Sequence, residues 1–313
     1  KVTGELHIYA QRHIVAEVGD DPNEISLEEA RKIDPRYEVD DIVETEVTPR
    51  NFGRIAAQNA KQVVVQRIRE AERGMVFEKF SSRENDIVTG IIQRMENKNV
   101  YIDLGKAEAI LTPNEQIPGE IYQYHDRMKT YIVEVKKTSK GPQIMVSRTH
   151  PGLLKRLFEL EVPEIHDGLV EIKSVAREPG MRSKISVYTK DENIDPVGAC
   201  VGHKGMRVQT IVNELRGEKI DIVKYSSEPD QYVANALSPA KVVSTEVLEE
   251  EKICRVIVPD YQLSLAIGKE GQNARLAAKL TGWKIDIKSE SQAAEEAEQG
   301  AQEVGVAYEA DED

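Results

Sequence analysis

The sequence predicts a multidomain α+β protein, and three observations carry this prediction. A pattern of helix, glycine loop, helix and strand occurs twice between residues 195 and 288. Five short apolar runs separated by turn residues lie within residues 81–150. A long stretch of helix-forming residues, 49–80, precedes them. A chain of 313 residues is long enough to hold two or three separate hydrophobic cores.

Composition excludes several classes of protein. Hydrophobic residues make up 40% of the chain, and no uncharged apolar run reaches the ~18 residues needed to cross a bilayer. Cys200 and Cys254 are the only cysteines, too few for a disulfide scaffold or a thiolate zinc site, and both are expected in cores. The six histidines are scattered, and no carboxylate cluster has metal-ligand spacing. We therefore expect a cytoplasmic protein that is not an enzyme, without catalytic residues, metal or cofactor.

The negative charge is concentrated at one end of the chain. The formal net charge is -13 at pH 7, and residues 289–313 contribute nine acidic residues and no basic one. Their Glu, Ala, Gln and Gly composition is typical of disorder, so a disordered acidic tail is predicted there. The rest of the chain is close enough to neutral to bind phosphate through local basic clusters.

The repeat aligns closely between its two copies. The first contains Gly202-His203-Lys204-Gly205 and the second contains Gly268-Lys269-Glu270-Gly271. Each loop is followed by a helical stretch, then Gly217 or Gly282, then Lys-Ile-Asp-Ile. One single-residue gap brings all these features into register, which chance explains poorly. Asp195 and Asp260 are predicted to cap the helices before the loops, and the two later glycines to end the helices after them.

Each copy is preceded by one helix and two strands. The predicted helices are Gly152–Leu160 and Pro229–Leu237. The predicted strands are Leu169–Val175, Lys184–Tyr188, Val242–Leu248 and Ile253–Val258. The resulting order α-β-β-α-α-β resembles that of the prokaryotic type of KH domain. Two tandem KH domains are thus predicted, at residues 151–227 and 228–288.

The two glycine loops are the candidate RNA-binding site. Glycines let a backbone approach a sugar-phosphate chain closely, and the following helix directs N–H groups and its positive dipole end toward phosphate. KH domains clamp about four nucleotides of single-stranded RNA with such a loop. One loop alone is more often a simple helix-joining turn, but two copies in the same topology favour RNA, although Glu270 places a carboxylate on the phosphate path. The predicted RNA-binding residues are Gly202, His203, Lys204, Gly205, Arg207, Gly268, Lys269, Glu270, Gly271, Gln272 and Arg275.

Residues 81–150 are predicted to form a five-stranded OB-type β-barrel. The apolar runs are Ile87–Ile92, Val100–Leu104, Ala109–Leu111, Thr130–Val135 and Ile144–Val146. This fold commonly binds single strands by combining positive charge with aromatic stacking. Candidate side chains are Lys136, Lys137, Lys140, Tyr101, Tyr122 and Tyr124. The tyrosines are equally well explained as covers for the ends of the barrel.

Residues 1–80 are predicted to form an α/β head followed by a long connecting helix. Leu6–Val18 indicates a strand or hairpin, and Ser26 is a candidate cap for a short helix ending at Ile33. The helix within residues 49–80 either joins the head to the barrel or packs on the head itself. Because Lys1 enters a strand abruptly, the beginning of this domain is expected to be missing.

Several segments resemble the NusA family of bacterial transcription factors. They are Phe52-Gly53-Arg54-Ile55-Ala56-Ala57-Gln58, Gln66-Arg67-Ile68-Arg69-Glu70-Ala71-Glu72, Ser174-Val175-Ala176-Arg177-Glu178-Pro179-Gly180 and the run from Ala266 to Ala277. The resemblance covers residues 1 to about 288 in the family's domain order, with a barrel of the S1 type. Two departures are the abrupt start and the lack of helical repeats after the second KH domain.

This resemblance implies a set of partners. It implies binding of RNA polymerase through the N-terminal domain and of nascent single-stranded RNA through the other three domains. It also implies effects on pausing, termination and antitermination, with other Nus factors as candidate partners. A monomer that does not bind membranes is expected.

Two other functions fit parts of the pattern. Phosphorolytic exoribonucleases carry KH and OB modules, but they place KH before OB and add large catalytic domains. A ribosome-associated RNA-binding chaperone is the closer alternative. It would lack the helix at Phe52–Glu72 and would not bind polymerase, so a pull-down with purified bacterial RNA polymerase separates the two.

Overall fold

The computed structural model describes residues 9–19, 21–47, 52–139, 141–296 and 298. The chain divides into two compact units, Lys1–Gly74 and Met75–Asp313. The first holds the head and most of a long helix, and the second holds the barrel and both KH domains.

The head is a small α/β unit. Strands β1 (Tyr9–Val15), β2 (Glu24–Ser26) and β3 (Ile42–Glu46) form a sheet in the order β2-β1-β3, with helix α1 (Leu27–Ile33) beside it. The Ser26 side chain accepts a hydrogen bond from the Glu29 N–H, which confirms the predicted cap. Of the strand or hairpin predicted over residues 6–18, β1 is observed, and residues 6–8 lie outside the described part of the chain.

Helix α2 (Phe52–Ser81) runs for 30 residues and passes from the first unit into the second. The apolar side chains Ile55, Val63, Val64 and Ile68 are each more than half exposed, so they do not enter the head core. Near its end the helix packs Phe80 into the core of the barrel. The connecting role predicted for this helix therefore agrees with the structure better than packing on the head.

The barrel closes from five strands, as predicted. They are β4 (Ile87–Glu96), β5 (Asn99–Asp103), β6 (Glu108–Leu111), β7 (Arg127–Thr138) and β8 (Gly141–Ser147). Their order is β4-β5-β6-β8-β7, and antiparallel pairing of β4 with β7 closes the ring. Alternate side chains such as Val100 and Ile102 point inward and fill the interior, as expected for a small barrel.

Both KH domains have the predicted α-β-β-α-α-β order. The first contains α3 (Pro151–Glu161), a short helix α4 (Pro163–His166), β9 (Glu171–Glu178), β10 (Arg182–Tyr188), α5 (Pro196–Val201), α6 (Met206–Glu214) and β11 (Lys219–Lys224). The second contains α7 (Pro229–Ala236), β12 (Ser244–Leu248), β13 (Ile253–Val258), α8 (Leu263–Ile267), α9 (Gln272–Thr281) and β14 (Lys284–Ser289). In each sheet the middle strand runs antiparallel to the first strand and parallel to the last. Among the α-helices and strands described in these two domains, α4 is the one without a predicted counterpart.

The predicted helix caps are correct in one copy and wrong in the other. The Asp195 carboxylate accepts from the Val197 N–H at the start of α5, as predicted. Asp260 instead lies in a 3-10 turn before α8, and its carboxylate accepts hydrogen bonds from the Ser291 N–H and hydroxyl. Asp260 has this different partner because the segment after β14 places Ser291 next to its carboxylate.

The second KH domain packs on the sheet of the first. Helix α9 lies against β9 and β10, and Ala176 and Val223 of the first domain join the core of the second. The Tyr232 hydroxyl lies 2.8 Å from Ser186 Oγ across this boundary. Lys184 is completely buried there and donates to Asp221 Oδ2 and, across the boundary, to the Ser238 carbonyl oxygen. Desolvation lowers the pKa of Lys184, as expected for an ammonium sealed between domains.

Residues 290–296 are helical, which differs from the disordered tail predicted from residue 289. Ser289 and Gln292 form a reciprocal capping box, in which each side chain accepts a hydrogen bond from the other's N–H. An ion pair between Lys288 and Glu296 adds to it. The Ser-x-x-Gln pattern was visible in the sequence and was missed because the acidic composition dominated. Residues 299–313 lie outside the described part of the chain.

Buried charged side chains join the barrel to the first KH domain. Arg148, with a side chain only 1% exposed, pairs with Glu120 and donates to the Lys129 and Glu214 carbonyl oxygens. Close by, Arg177 and Glu218 form a fully buried pair with two nitrogen–oxygen distances of 2.8 Å. Such pairs are costly to break because the remaining partner would stay buried without a counter-charge.

His150 links this junction to solution pH. Its Nδ1 accepts from the Gly152 N–H at the start of α3, its ring stacks on Tyr131, and Glu115 and Arg177 are the charged groups that influence it. Burial lowers the pKa of His150 below its ordinary 6.5, so below that pH the unfolded chain binds more protons than the folded one. We expect the free energy of unfolding to fall as pH decreases below 6.5 and through the lowered pKa of folded His150, because a protonated ring cannot accept the hydrogen bond that caps the helix. His150→Asn keeps an acceptor and should flatten this dependence, while His150→Ala should cost about 1 kcal/mol at neutral pH.

Urea unfolding of the three proteins at about pH 7.5 and about pH 5.5 provides the measurement. An identical loss of stability on acidification in wild type and His150→Asn would contradict the role of His150.

Candidate nucleic-acid interface

The two glycine loops have the same backbone conformation. The first glycines, Gly202 and Gly268, have φ of 74° and 77°. The third residues, Lys204 and Glu270, both adopt left-handed conformations, with φ of 50° and 52°. The final glycines also have positive φ, of 77° and 74°. The repeat therefore encodes one loop geometry twice, with different side chains displayed on it.

The two glycines of each loop are required for different reasons. A Cβ on Gly202 would lie 2.6 Å from Arg207 Cγ, and one on Gly268 would lie 2.8 Å from both Asn273 N and Cβ. A Cβ on Gly205 would meet no atom within 4 Å. The first glycine permits close packing on the following helix, while the last permits the left-handed turn.

Gly268→Ala is expected to lower the free energy of unfolding by about 2–4 kcal/mol, because the new methyl group overlaps the backbone of α9 in addition to the left-handed strain. The matched variant Gly271→Ala meets only Arg275 NH1, at 3.9 Å, and should cost about 1–2 kcal/mol. Chemical denaturation measures both. Equal costs would show that crowding at the first glycine is not what selects it.

The central loop side chains face solvent. His203, Lys204, Lys269 and Glu270 are exposed, and their side chains make no hydrogen bond or ion pair within the described residues. Helices α6 and α9 start immediately after the loops, and no side chain caps either start. The N–H groups of their first residues, Met206 and Gln272, donate to the His203 and Lys269 carbonyl oxygens within the loops. The positive dipole end of each helix and the exposed lysine of each loop suit an anionic backbone.

Partly exposed apolar side chains lie on the helix before each loop and on the last strand of each KH domain. Helix α5 lies beside β11, where Val197, Val201, Ile220 and Ile222 are only partly buried. In the second domain α8 lies beside β14 with a similar set of partly covered apolar residues, Leu263, Ile285 and Ile287. Unstacked bases can lie on such surfaces while the loop holds the phosphates.

Arg207 and its counterpart in the repeat, Asn273, are turned toward the protein. Arg207 NH1 donates to Glu164 Oε2 and to the Ala199 carbonyl oxygen. The buried Asn273 amide donates to the Leu237 and Ala266 carbonyl oxygens. Both side chains tie the helix after the loop to the helix before it. The RNA contact predicted for Arg207 would require its guanidinium to leave these partners.

Gln272 and Arg275 also have partners within the protein. Glu178 of the first KH domain accepts from Gln272 Nε2 at 2.9 Å and from Arg275 Nε at 2.7 Å. The hydrogen bond from Arg275 is the main reason that the pKa of Glu178 lies below its ordinary value. Arg275 NH1 also donates to the Glu270 carbonyl oxygen in the loop. The structure thus groups both predicted residues with Glu178, a residue that no sequence pattern joins to this site.

The candidate side chains of the barrel differ in their availability. Tyr122 is half-buried and hydrogen-bonds Glu120, and burial is the main reason that its pKa is raised. The Tyr101 ring is covered by the Arg94 guanidinium at 3.9 Å. Tyr124 is 56% exposed and is the one of the three that presents a free ring. Lys136 pairs with Glu134, Lys137 lies over Phe77, and Lys140 is outside the described residues.

The other chemically notable residues are structural. Cys200 and Cys254 are buried, and burial raises the pKa of both thiols, that of Cys200 to about 12, which disfavours the reactive thiolate. Within the described ranges no group of three His, Cys, Asp or Glu side chains is placed to hold a metal ion. Across those same ranges, no helix has the length and apolar character to span a membrane.

Comparison with known families agrees with this architecture. Family models match residues 1–74 (NusA N-terminal domain), 81–147 (S1 RNA binding domain), 148–225 (NusA-like first KH domain) and 229–295 (NusA-like second KH domain). The fold and the loops define a multidomain RNA-binding architecture with one S1 barrel and two KH domains.

Curated relatives identify the family. The chain is 68% identical to the transcription termination/antitermination protein NusA of Bacillus subtilis, over 94% of this chain and 79% of that protein. It is 68% identical to NusA of Halalkalibacterium halodurans, over 93% and 76%, and 45% identical to NusA of Thermus thermophilus, over 90% and 73%. The chain belongs to the NusA family.

Proposed function

We propose that this chain is a transcription termination/antitermination factor that binds nascent single-stranded RNA and RNA polymerase. The observation that supports the RNA part is the pair of matching loop backbones, each with exposed central side chains at the start of a helix that has no side-chain cap. The KH domains and the barrel supply the RNA surfaces, and no catalytic step is required of the protein. The names of its relatives support the role in transcription.

The polymerase contact is assigned to the head and α2. Ile55, Val63, Val64 and Ile68 leave apolar surface exposed on this helix, between charged residues that keep it soluble. Exposed apolar surface of this kind is suited to a protein partner rather than to RNA. Contact with polymerase through this unit, and with RNA through the second, would let the protein modulate pausing.

A division-of-labour experiment tests the proposal. The full chain and residues 75–313, one of the two compact units, are compared for binding to a labelled single-stranded RNA and for pull-down by purified bacterial RNA polymerase. We expect similar RNA affinity for both, but polymerase binding and pause prolongation only with the full chain. RNA binding without any polymerase binding by the full chain would favour the ribosome-associated chaperone instead.

A further inference from the structure

We propose that Glu178 of the first KH domain is a positioning residue for the RNA-binding loop of the second. It holds Arg275, and Arg275 in turn holds the loop, so that recognition at the second loop depends on the docking of the two domains. The inference deepens the proposed RNA-binding function and rests on it.

The contacts form a short chain across the domain boundary. The Glu178 carboxylate lies at the end of β9, with 17% of the side chain exposed, and receives Arg275 Nε at 2.7 Å and Gln272 Nε2 at 2.9 Å. From there Arg275 NH1 reaches the carbonyl oxygen of Glu270, at 3.0 Å. Glu270 is the non-glycine residue of this loop that adopts a left-handed conformation, so a hydrogen bond to its carbonyl oxygen supports a strained position of the turn. Charge-assisted hydrogen bonds of this geometry are among the stronger ones in proteins.

The turn that carries Glu178 is itself held in place. The Gly180 N–H donates to Glu218, and a Cβ on Gly180 would lie only 2.5 Å from Ile117 Cγ2 of the barrel segment. The turn is therefore packed against the barrel, anchored in the first KH domain and bonded to the second. Because the barrel and the first KH domain hold this turn in place, Glu178 can act as a rigid point of attachment for Arg275.

The first loop provides an internal comparison. The residue equivalent to Arg275 is Gln209, whose amide bonds Asn213 Oδ1 within its own helix instead of the loop. The residue equivalent to Gln272 is Met206, which is exposed. No side chain atom lies within 4 Å of a Cβ built on Gly205, whereas the Arg275 guanidinium lies 3.9 Å from one built on Gly271. The two loops thus share a backbone conformation but differ in the side chains that hold them. We infer that the second loop, unlike the first, depends on the neighbouring domain.

This role predicts effects opposite to those of a direct phosphate contact. If Arg275 positions the loop, Glu178→Ala and Arg275→Ala should each weaken binding of a labelled single-stranded RNA by about three- to tenfold, and the double variant should lose no more than either. If Arg275 binds phosphate and Glu178 only masks it, Glu178→Ala should bind more tightly, with a steeper salt dependence. Tighter or unchanged binding by Glu178→Ala would overturn the proposal.

Two control variants locate the effect. Glu246→Ala removes a glutamate that also pairs with an arginine, Arg255, on the neighbouring strands β12 and β13 of the second domain, and it should leave RNA affinity unchanged. In a Lys269→Asp background, Glu178→Ala should add little further loss, because the loop it supports is already disabled. In a Lys204→Asp background its full effect should remain. The same loss in both backgrounds would overturn the assignment to the second loop.

A measurement without RNA separates this inference from the proposed function. Hydrogen exchange of peptides covering residues 268–275 should speed up in Glu178→Ala, including the Gly271 N–H that bonds the Gly268 carbonyl, while residues 202–209 stay unchanged. Unchanged exchange at the second loop would overturn the positioning role. Failure of the wild-type chain to bind RNA would instead count against the proposed function, whatever the exchange shows.

Discussion

Replacing His203, Lys204, Lys269 and Glu270 together with Asp is expected to weaken binding to single-stranded RNA by about 100-fold. The change removes the exposed lysines of both loops and places carboxylates at the helix starts, on the predicted path of the phosphates. The glycines remain, and Asp tolerates the left-handed conformation of Lys204 and Glu270 better than most residues do. The fold should therefore survive.

Fluorescence anisotropy with a labelled RNA at one low salt concentration measures the effect, and circular dichroism checks the fold. A matched control makes the same reduction in net charge on the head, through Gln11→Asp, Arg12→Asp and Lys32→Asp, all at exposed positions. The control should bind RNA nearly as wild type does. A loop variant with native circular dichroism and wild-type affinity would remove the loops from the site.

Glu218→Ala is expected to lower the free energy of unfolding by about 3–5 kcal/mol, the largest stability effect predicted for a single substitution here. Glu218 is fully buried and accepts two hydrogen bonds from Arg177, one from the Ser183 hydroxyl and one from the Gly180 N–H. Without Glu218, the buried Arg177 guanidinium loses its counter-charge and keeps its hydrogen bond to the His150 carbonyl oxygen. Urea unfolding measures the loss. The exposed Glu246→Ala should stay within about 0.5 kcal/mol of wild type.

The same variant should show a distinctive pH dependence. Burial alone would raise the pKa of Glu218, but the hydrogen bonds and charge of Arg177, with those from Ser183 and Gly180, outweigh it and leave the pKa below its ordinary 4.5. The stabilisation is therefore present above that value and is lost as pH falls through the lowered pKa of the folded state. The difference in free energy of unfolding between wild type and Glu218→Ala should therefore become smaller at acidic pH. A gap independent of pH would show that lost packing, not the ion pair, causes the destabilisation.

Local features of the fold were predictable because their causes are local. Apolar periodicity located the five barrel strands, and Ser26, Asp195 and Gly282 mark helix ends by their own chemistry. The repeat then fixed the topology of two domains at once. The strands of the head are harder to predict. Strand β2 has three residues and β3 has five, among charged side chains, so both are too short to show a clear apolar periodicity.

The contacts that define the site beyond the loops were not predictable in this way. Glu178 and Arg275 are 97 residues apart, and Arg148 and Glu120 are 28 apart, so no spacing rule joins them. Arg275 is among the RNA-binding residues predicted from the sequence. Its partner became visible only when docking of the two domains brought a carboxylate to it. Sequence patterns find the parts of such a site, whereas the links between domains need the folded chain.

The burial of Lys184 between the KH domains has a consequence for how the two copies of the repeat can diverge. Its equivalent in the second copy is Arg255, since both lie opposite the aspartate of a Lys-Ile-Asp-Ile strand. Lys184 is completely enclosed, while the Arg255 side chain is 54% exposed. A substitution at position 255 therefore places the new side chain mostly in water. A substitution at position 184 must instead fit the packing of both KH domains. In a library of single substitutions, β10 should tolerate few replacements on either face, and β13 should accept many at every second position.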